Sequence, residues 1–253
     1  MILRRIIQHV RAQDWTAIVL DFVIVVVGVF IGIQFSNLND DRIARAAELE
    51  FVHTIRDDIA QGIIDSQGFV EMLSDVSRNG HLVLDSIATD LPCRSDCWPE
   101  LLRYFFASQW IDVRTNQATF DEMKRTGLPR DPVLKSTLNR YYGLTEQVSI
   151  IISDLPKYRE LVRSIIPASV QDYMWAQCFD LDGRQQKLVE NCASPLTDNE
   201  GRAVVETLRN KAEVKSSLTY WLSTVAVVMK ALQDQNKEGE MVIAAIDKHA
   251  DID

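Results

Sequence analysis

The chain has 253 residues, of which 27 are Lys or Arg and 36 are Asp or Glu, for a formal net charge of −9. That acidic balance argues against a nucleic-acid partner and against docking on anionic lipid; its plainer meaning is solubility. The length is sufficient for one sizeable core without a structural metal.

Residues 1–15 carry Arg4, Arg5 and Arg11 against the single acid Asp14. Residues 16–36 then read TAIVLDFVIVVVGVFIGIQFS. Between Ala17 and Phe35 the apolar run is interrupted only by Asp21, Gly28, Gly32 and Gln34. A helix rises about 1.5 Å per residue, so about 20 such residues cross a hydrocarbon core of about 30 Å. Trp15 stands at the entry, where an indole prefers the headgroup layer. Asp40, Asp41, Arg42 and Arg45 follow the span, so the positive bias lies on its N-terminal side. Short positive flanks stay in the cytoplasm, which predicts the N-terminus inside and residues 37–253 outside. A cleaved signal peptide is the rival reading. It has a shorter apolar core, about 7–15 residues, and small residues at its cleavage site, which Gly32-Ile33-Gln34 does not supply.

Asp21, Val25, Gly28, Gly32 and Ser36 are spaced by four, three, four and four residues and share one helical face. Gly28 and Gly32 form a small-xxx-small pair, extended by Ser36, that admits a second helix at close range. Asp21 lies only about 6–8 Å inside the cytoplasmic boundary, where an ionisable group needs headgroups or a partner. Ordinary membrane composition with a snorkelling Asp21 is the bland alternative. The face predicts a membrane-protein partner or a second copy.

Of the 63 charged residues, three basic and two acidic ones lie in residues 1–36, which leaves 24 basic and 34 acidic outside. From Asp40 to about Thr89 there is no proline, and Ile43, Ala47, Val52, Ile55, Ile59, Ile63, Val70, Leu73 and Val76 recur at helical steps. Asn79-Gly80 marks a candidate break. A short helix is predicted over 99–110, another over 115–126 ended by Gly127, and a third opened by Asp131 and Pro132 and broken at Pro156. Residues 167–199 show no clear period; only pieces such as LVENC read as strand, with a hairpin turn at Asp182-Gly183. Thr197 or Asp198 opens a long helix to about Asn236, with Gly239 as its interruption and a last short helix beyond. The fold class is all-α: one N-terminal transmembrane helix continuing into an extracytoplasmic helical bundle with long helices and disulfide-closed loops.

The four cysteines are Cys93, Cys97, Cys178 and Cys192. An oxidising compartment permits bridges, and local loops favour Cys93–Cys97 and Cys178–Cys192. A zinc site is the alternative, but no histidine lies near them and the spacing is not a ribbon knuckle.

The segment VVVGVFIGIQFSNLND (25–40) resembles the span end of a bacterial family of uncharacterised single-span membrane proteins, in its Gly-Ile-x-Ile-x-x-Gln-x-x-Asn-x-Asn-acid type pattern. TFDEMKRTG (119–127) and LKSTLNRYYG (134–143) are similar to a second element of that family, whereas Leu38 stands where many relatives have Trp. The resemblance implies an inner-membrane anchor with a periplasmic domain and implies no reaction.

No phosphate loop, Gly-x-Ser-x-Gly or His-Glu-x-x-His occurs. Asp180-Leu-Asp182-Gly183 lacks the glycine position and the closing Glu of a calcium loop. Asp57-Asp58 and Asp121-Glu122 are sequence neighbours, which do not face each other on a helix. Tyr104, Phe105, Phe106, Trp110, Tyr141, Tyr142, Tyr173 and Trp175 read as core before they read as a ligand pocket. The expectation is a non-enzymatic, membrane-anchored periplasmic protein without metal or cofactor, acting as an accessory or interaction subunit. The alternative is a ligand-binding or sensor bundle that signals through a partner; an enzyme is the third class.

Overall fold

The computed structural model describes residues 15–89, 93, 95–182, 185–189 and 191–250. The N-terminal arginines and Gly183 lie outside these. Among the described residues are eight α-helices and one two-stranded sheet, so the chain is all-α in class. Helix α1 spans Trp15–Thr89. Two compact units divide it: residues 1–51 and residues 52–253.

The first unit contains the apolar stretch. That stretch is long and apolar enough to cross a membrane, and none of it is buried, which sets it apart from the core helix of a soluble protein. Phe22, Phe30 and Phe35 are all exposed.

The second unit starts at Val52, the first buried apolar side chain of α1. Ile55, Ile59, Phe69, Leu73, Val76 and Val83 continue the buried face at helical spacing. Helix α2 (Trp98–Ala107) has a proline in its first turn and buries Leu101, Tyr104, Phe105 and Phe106. Helix α3 (Ala118–Arg125) ends at Gly127, whose φ of +82° is the left-handed geometry expected past a helix C-terminus. Helix α4 (Pro132–Ile151) is capped as predicted: Asp131 accepts from the amides of Val133 and Leu134 at 2.6 and 2.9 Å. Helix α5 (Lys157–Ile165) follows Pro156. Helix α6 (Ala168–Tyr173) runs into a π turn (Met174–Cys178) and the hairpin β1 (Phe179–Asp182) and β2 (Gln185–Leu188). An antiparallel hairpin is present in this region, with β1 ending at Asp182 and β2 beginning at Gln185, although β2 is QQKL and takes only Leu188 from LVENC; Gly183, read as a turn residue, lies outside the described residues. Helix α7 (Asp198–Asn210) opens with a capping box between Thr197 and Glu200. Helix α8 (Ala212–Ala250) closes the unit.

Two glycine readings are corrected. Helix α1 continues through Asn79-Gly80 and α8 through Gly239. Both glycines are points of close approach. A Cβ on Gly80 would stand 2.6 Å from Leu222, and one on Gly239 would stand 3.0 Å from Tyr141 and 3.1 Å from Ile63. The C-terminal helical stretch breaks at Lys211 instead, where the backbone turns extended. Arg56 pairs with Asp247, Ile63 meets Gly239 and Gly80 meets Leu222, so α1 and α8 run antiparallel in this unit.

Candidate functional site

The structure places the five residues of the predicted membrane face on α1, in the stretch where every described side chain is exposed. A helix advances about 100° per residue, so Asp21, Val25, Gly28, Gly32 and Ser36 fall within an arc of about 80°. A Cβ on Gly28 or Gly32 would meet nothing within 4 Å. The glycines are therefore not required by packing inside this chain, unlike Gly80 and Gly239.

Both cysteine pairs stand at disulfide distance, with Cα separations of 5.7 Å for Cys93–Cys97 and 5.1 Å for Cys178–Cys192. They are neighbours. Cys97 occupies the N-cap position of α2, and the next residue, Trp98, donates its indole N–H to the Cys192 carbonyl at 3.0 Å. Cys93–Cys97 closes the loop that enters α2, Cys178–Cys192 joins the segments on either side of the hairpin, and the Trp98 hydrogen bond ties the second to the start of α2.

The aromatic groups form core. Phe105 meets Trp175 edge-on at 5.4 Å, Phe106 stacks on Phe179 at 5.6 Å, and Tyr142 stacks on Phe120 at 4.1 Å. Such pairs add to burial. Burial pushes the Tyr104, Tyr141, Tyr142 and Tyr158 hydroxyls up from the ordinary tyrosine range. The Asp121-Glu122 pair is split between surface partners, Asp121 with Lys124 at 2.8 Å and Glu122 with Arg125. Asp58 accepts from Thr119, and Asp57 faces solvent. Among the described residues no three His, Cys, Asp or Glu side chains group as metal ligands.

One cluster was not foreseen. Arg159 and Arg163 lie one turn apart on α5 and fold over the end of α2. Arg159 donates to the Ser108 carbonyl and Arg163 to the Ser108 hydroxyl, each at 2.9 Å. The Arg163 guanidinium carbon sits 3.3 Å from the Phe105 ring centre. Burial, with Arg159 beside it, lowers Arg163 to about 9. The signal in sequence was an Arg-x-x-x-Arg spacing, which normally reads as a solvated helical face.

Two open clefts mark the surface of the second unit. One, of about 440 Å³, lies between the α4–α5 connection and α8 and is walled by Leu155, Tyr220 and Trp221. The other, of about 820 Å³, lies between α1, α2 and β2. No protein-family model, curated protein or solved structure matches the chain.

Proposed function

We propose that this protein is a non-enzymatic, membrane-anchored accessory or interaction subunit. Its N-terminus is cytoplasmic, its span joins a partner within a bacterial inner membrane, and its helical domain is periplasmic. The observation that carries this reading is the exposed apolar stretch of α1 with Asp21, Gly28, Gly32 and Ser36 on one face. Glycine lets a second helix approach where a larger residue would hold it off. A carboxylate on the same face is tolerated in apolar surroundings when a polar or basic group meets it. The resemblance at residues 25–40 supports the same topology, and the disulfide-distance pairs suit an oxidising compartment.

The test is crosslinking and co-purification of the full chain. Gly28→Leu with Gly32→Leu should abolish association within the membrane while insertion and the outer unit persist, because leucine is more apolar than glycine. Asp21→Asn should weaken association less, since an amide still hydrogen-bonds. Retention of every wild-type partner and oligomer by the double leucine variant would refute the reading. A ligand-binding role is the second reading, favoured by the 440 Å³ cleft beside Tyr220 and Trp221. A small molecule retained through mild-detergent purification, with no protein partner, would favour it.

A further inference from the structure

We propose that the outer edge of β2 is a docking site for an extended, acidic peptide segment of a partner polypeptide, which would add a third strand to the hairpin. This surface is independent of the membrane face. The antiparallel register sets Phe179 against Leu188, Asp180 against Lys187, Leu181 against Gln186 and Asp182 against Gln185. One step beyond, the Val189 amide donates to the Cys178 carbonyl at 2.8 Å. Cys178 and Val189 are therefore a hydrogen-bonded pair. Such pairs alternate along an antiparallel ladder, so Asp180–Lys187 is the next one, and Leu181–Gln186 and Phe179–Leu188 are not. The backbone N–H and C=O of Gln186 and Leu188 consequently point away from β1. The sheet has two strands, and among the described residues no backbone group meets them on that side.

The 820 Å³ groove runs along this edge. Gln186, Lys187 and Leu188 all line it. Consecutive strand residues send their side chains to opposite faces, so a groove touched by three in a row follows the edge and not one face. Its opposite wall offers Val70 and Leu82 from α1 as apolar surface. An unpaired strand edge beside a groove of mixed apolar and charged side chains is a template that strand addition can use: the main chain supplies affinity, and alternate side chains supply selectivity.

The charges select among strands. Arg78, Arg103 and Lys187 line the groove against Glu71 and Asp75. Asp75 already pairs with Arg78, whereas Arg103 and Lys187 have no ion pair among the described residues. The lining thus carries one net positive charge on a chain of net charge −9, with Arg103 and Lys187 as the cations available to an acidic strand. Lys187 on the edge also discourages pairing with neutral or basic strands, a common protective device of natural sheet edges.

The test is binding of a short fluorescent peptide of alternating Glu and Val to the full chain in non-ionic micelles, read by anisotropy. The peptide should bind saturably. The same peptide N-methylated at alternate residues should bind at least about tenfold more weakly, since it loses several main-chain hydrogen bonds. A Lys-for-Glu peptide should also be weaker. Gln186→Pro removes an N–H that the ladder does not use, so it should weaken binding by about tenfold or more while the Cys178–Cys192 link and the melting transition stay as in wild type. Should that variant fail to fold, the N-methylated peptide on wild-type protein still decides the matter. Absence of binding, or equal binding of the N-methylated peptide, overturns the proposal. Self-association of the chain that the peptide competes away would overturn the assignment to a separate partner.

Discussion

Three glycines inside helices of the second unit allow a direct measurement of what packing requires of them. Gly80, Gly143 and Gly239 all lie well within α1, α4 and α8. By intrinsic propensity each Gly→Ala change should stabilise by about 1 kcal/mol, because alanine has less backbone freedom to lose. Their surroundings differ. A Cβ at Gly143 meets nothing within 4 Å, so Gly143→Ala should realise the full gain. At Gly80 the new methyl would lie 2.6, 3.1 and 3.2 Å from the Cδ2, Cδ1 and Cγ atoms of Leu222. The whole isobutyl group must then move, and Leu222 is buried with Val83 and Val225 in the same core cluster. Overpacking of this kind costs about 1–3 kcal/mol, which cancels or exceeds the propensity gain. At Gly239 the contacts are 3.0, 3.1 and 3.2 Å to Tyr141, Ile63 and Ile59, all three packed between helices, and a similar net loss follows. The expected order is Gly143→Ala above wild type, with Gly80→Ala and Gly239→Ala below it. The spread between the extremes should be about 2 kcal/mol. Denaturant melts of the full chain in micelles, followed by helical circular dichroism, measure it. Equal stabilisation by all three substitutions would show that α1 and α8 do not approach closely at Gly80 and Gly239, and the antiparallel packing deduced here would fall.

Loop closure over the separation of 14 residues between Cys178 and Cys192 gives about 3 kcal/mol of stabilisation, against about 2 kcal/mol for the separation of 4 between Cys93 and Cys97. Paired serine variants should lose stability in that order, and a peptide map joining Cys97 to Cys178 would contradict it. The four buried tyrosines have folded-state pKa values raised by burial, so the folded unit holds protons that an unfolded chain releases above about pH 10. Stability should therefore be intact below pH 10 and fall above it, by about 1.4 kcal/mol per pH unit for each tyrosine. Arg163, lowered by burial to about 9, and Arg159, also lowered by burial, oppose this: their contributions rise with pH, but they are two groups against four. Phenolate absorbance equivalent to the four buried tyrosines should appear only together with loss of helix; ionisation of all six tyrosines of the chain with helicity unchanged would contradict the burial. A periplasm-active reporter fused after Asp253 should be active, and activity only from a cytoplasm-dependent reporter would reverse the topology.

Those features that depend on short-range chemistry were legible in the residues. Asp131-Pro132, Thr197 with Glu200, and Gly127 announce helix ends by hydrogen bonds and dihedrals that involve only their neighbours. The antiparallel pairing on either side of Asp182-Gly183 and both cysteine pairs are likewise local. What was misread depends on distant partners. Gly80 and Gly239 look like breakers until Leu222 and Tyr141 are seen to lie against them. The break at Lys211 carries neither glycine nor proline as a signal. The β2 edge could not be anticipated either, because QQKL is a largely polar tetrapeptide without a strand pattern of its own, and it pairs with a β1 whose Phe179 stacks on the distant Phe106.

The Arg159–Arg163 cluster bears on how the remaining surface should be read. A buried cation with a strongly shifted pKa is normally a candidate for chemistry. Here its surroundings are structural. The last carbonyls of α2 form the negative end of that helix, and cations are favoured there. Arg159 takes the Ser108 carbonyl, Tyr158 the Tyr104 carbonyl, and the Trp221 indole the Ala107 carbonyl. Arg163 adds the Ser108 hydroxyl and the faces of Phe105 and Trp175, 3.3 and 5.2 Å away. Cations thus join α2, α5 and the π turn, and among the described residues no carboxylate pairs with them. Arg163 is thus engaged in holding the core, as are the buried tyrosines. The groups left for partners are of a different kind: an apolar helical face with glycines that no packing within the chain explains, and a strand edge whose amides and carbonyls face a groove. On the readings proposed above, both are shapes that another polypeptide would complete.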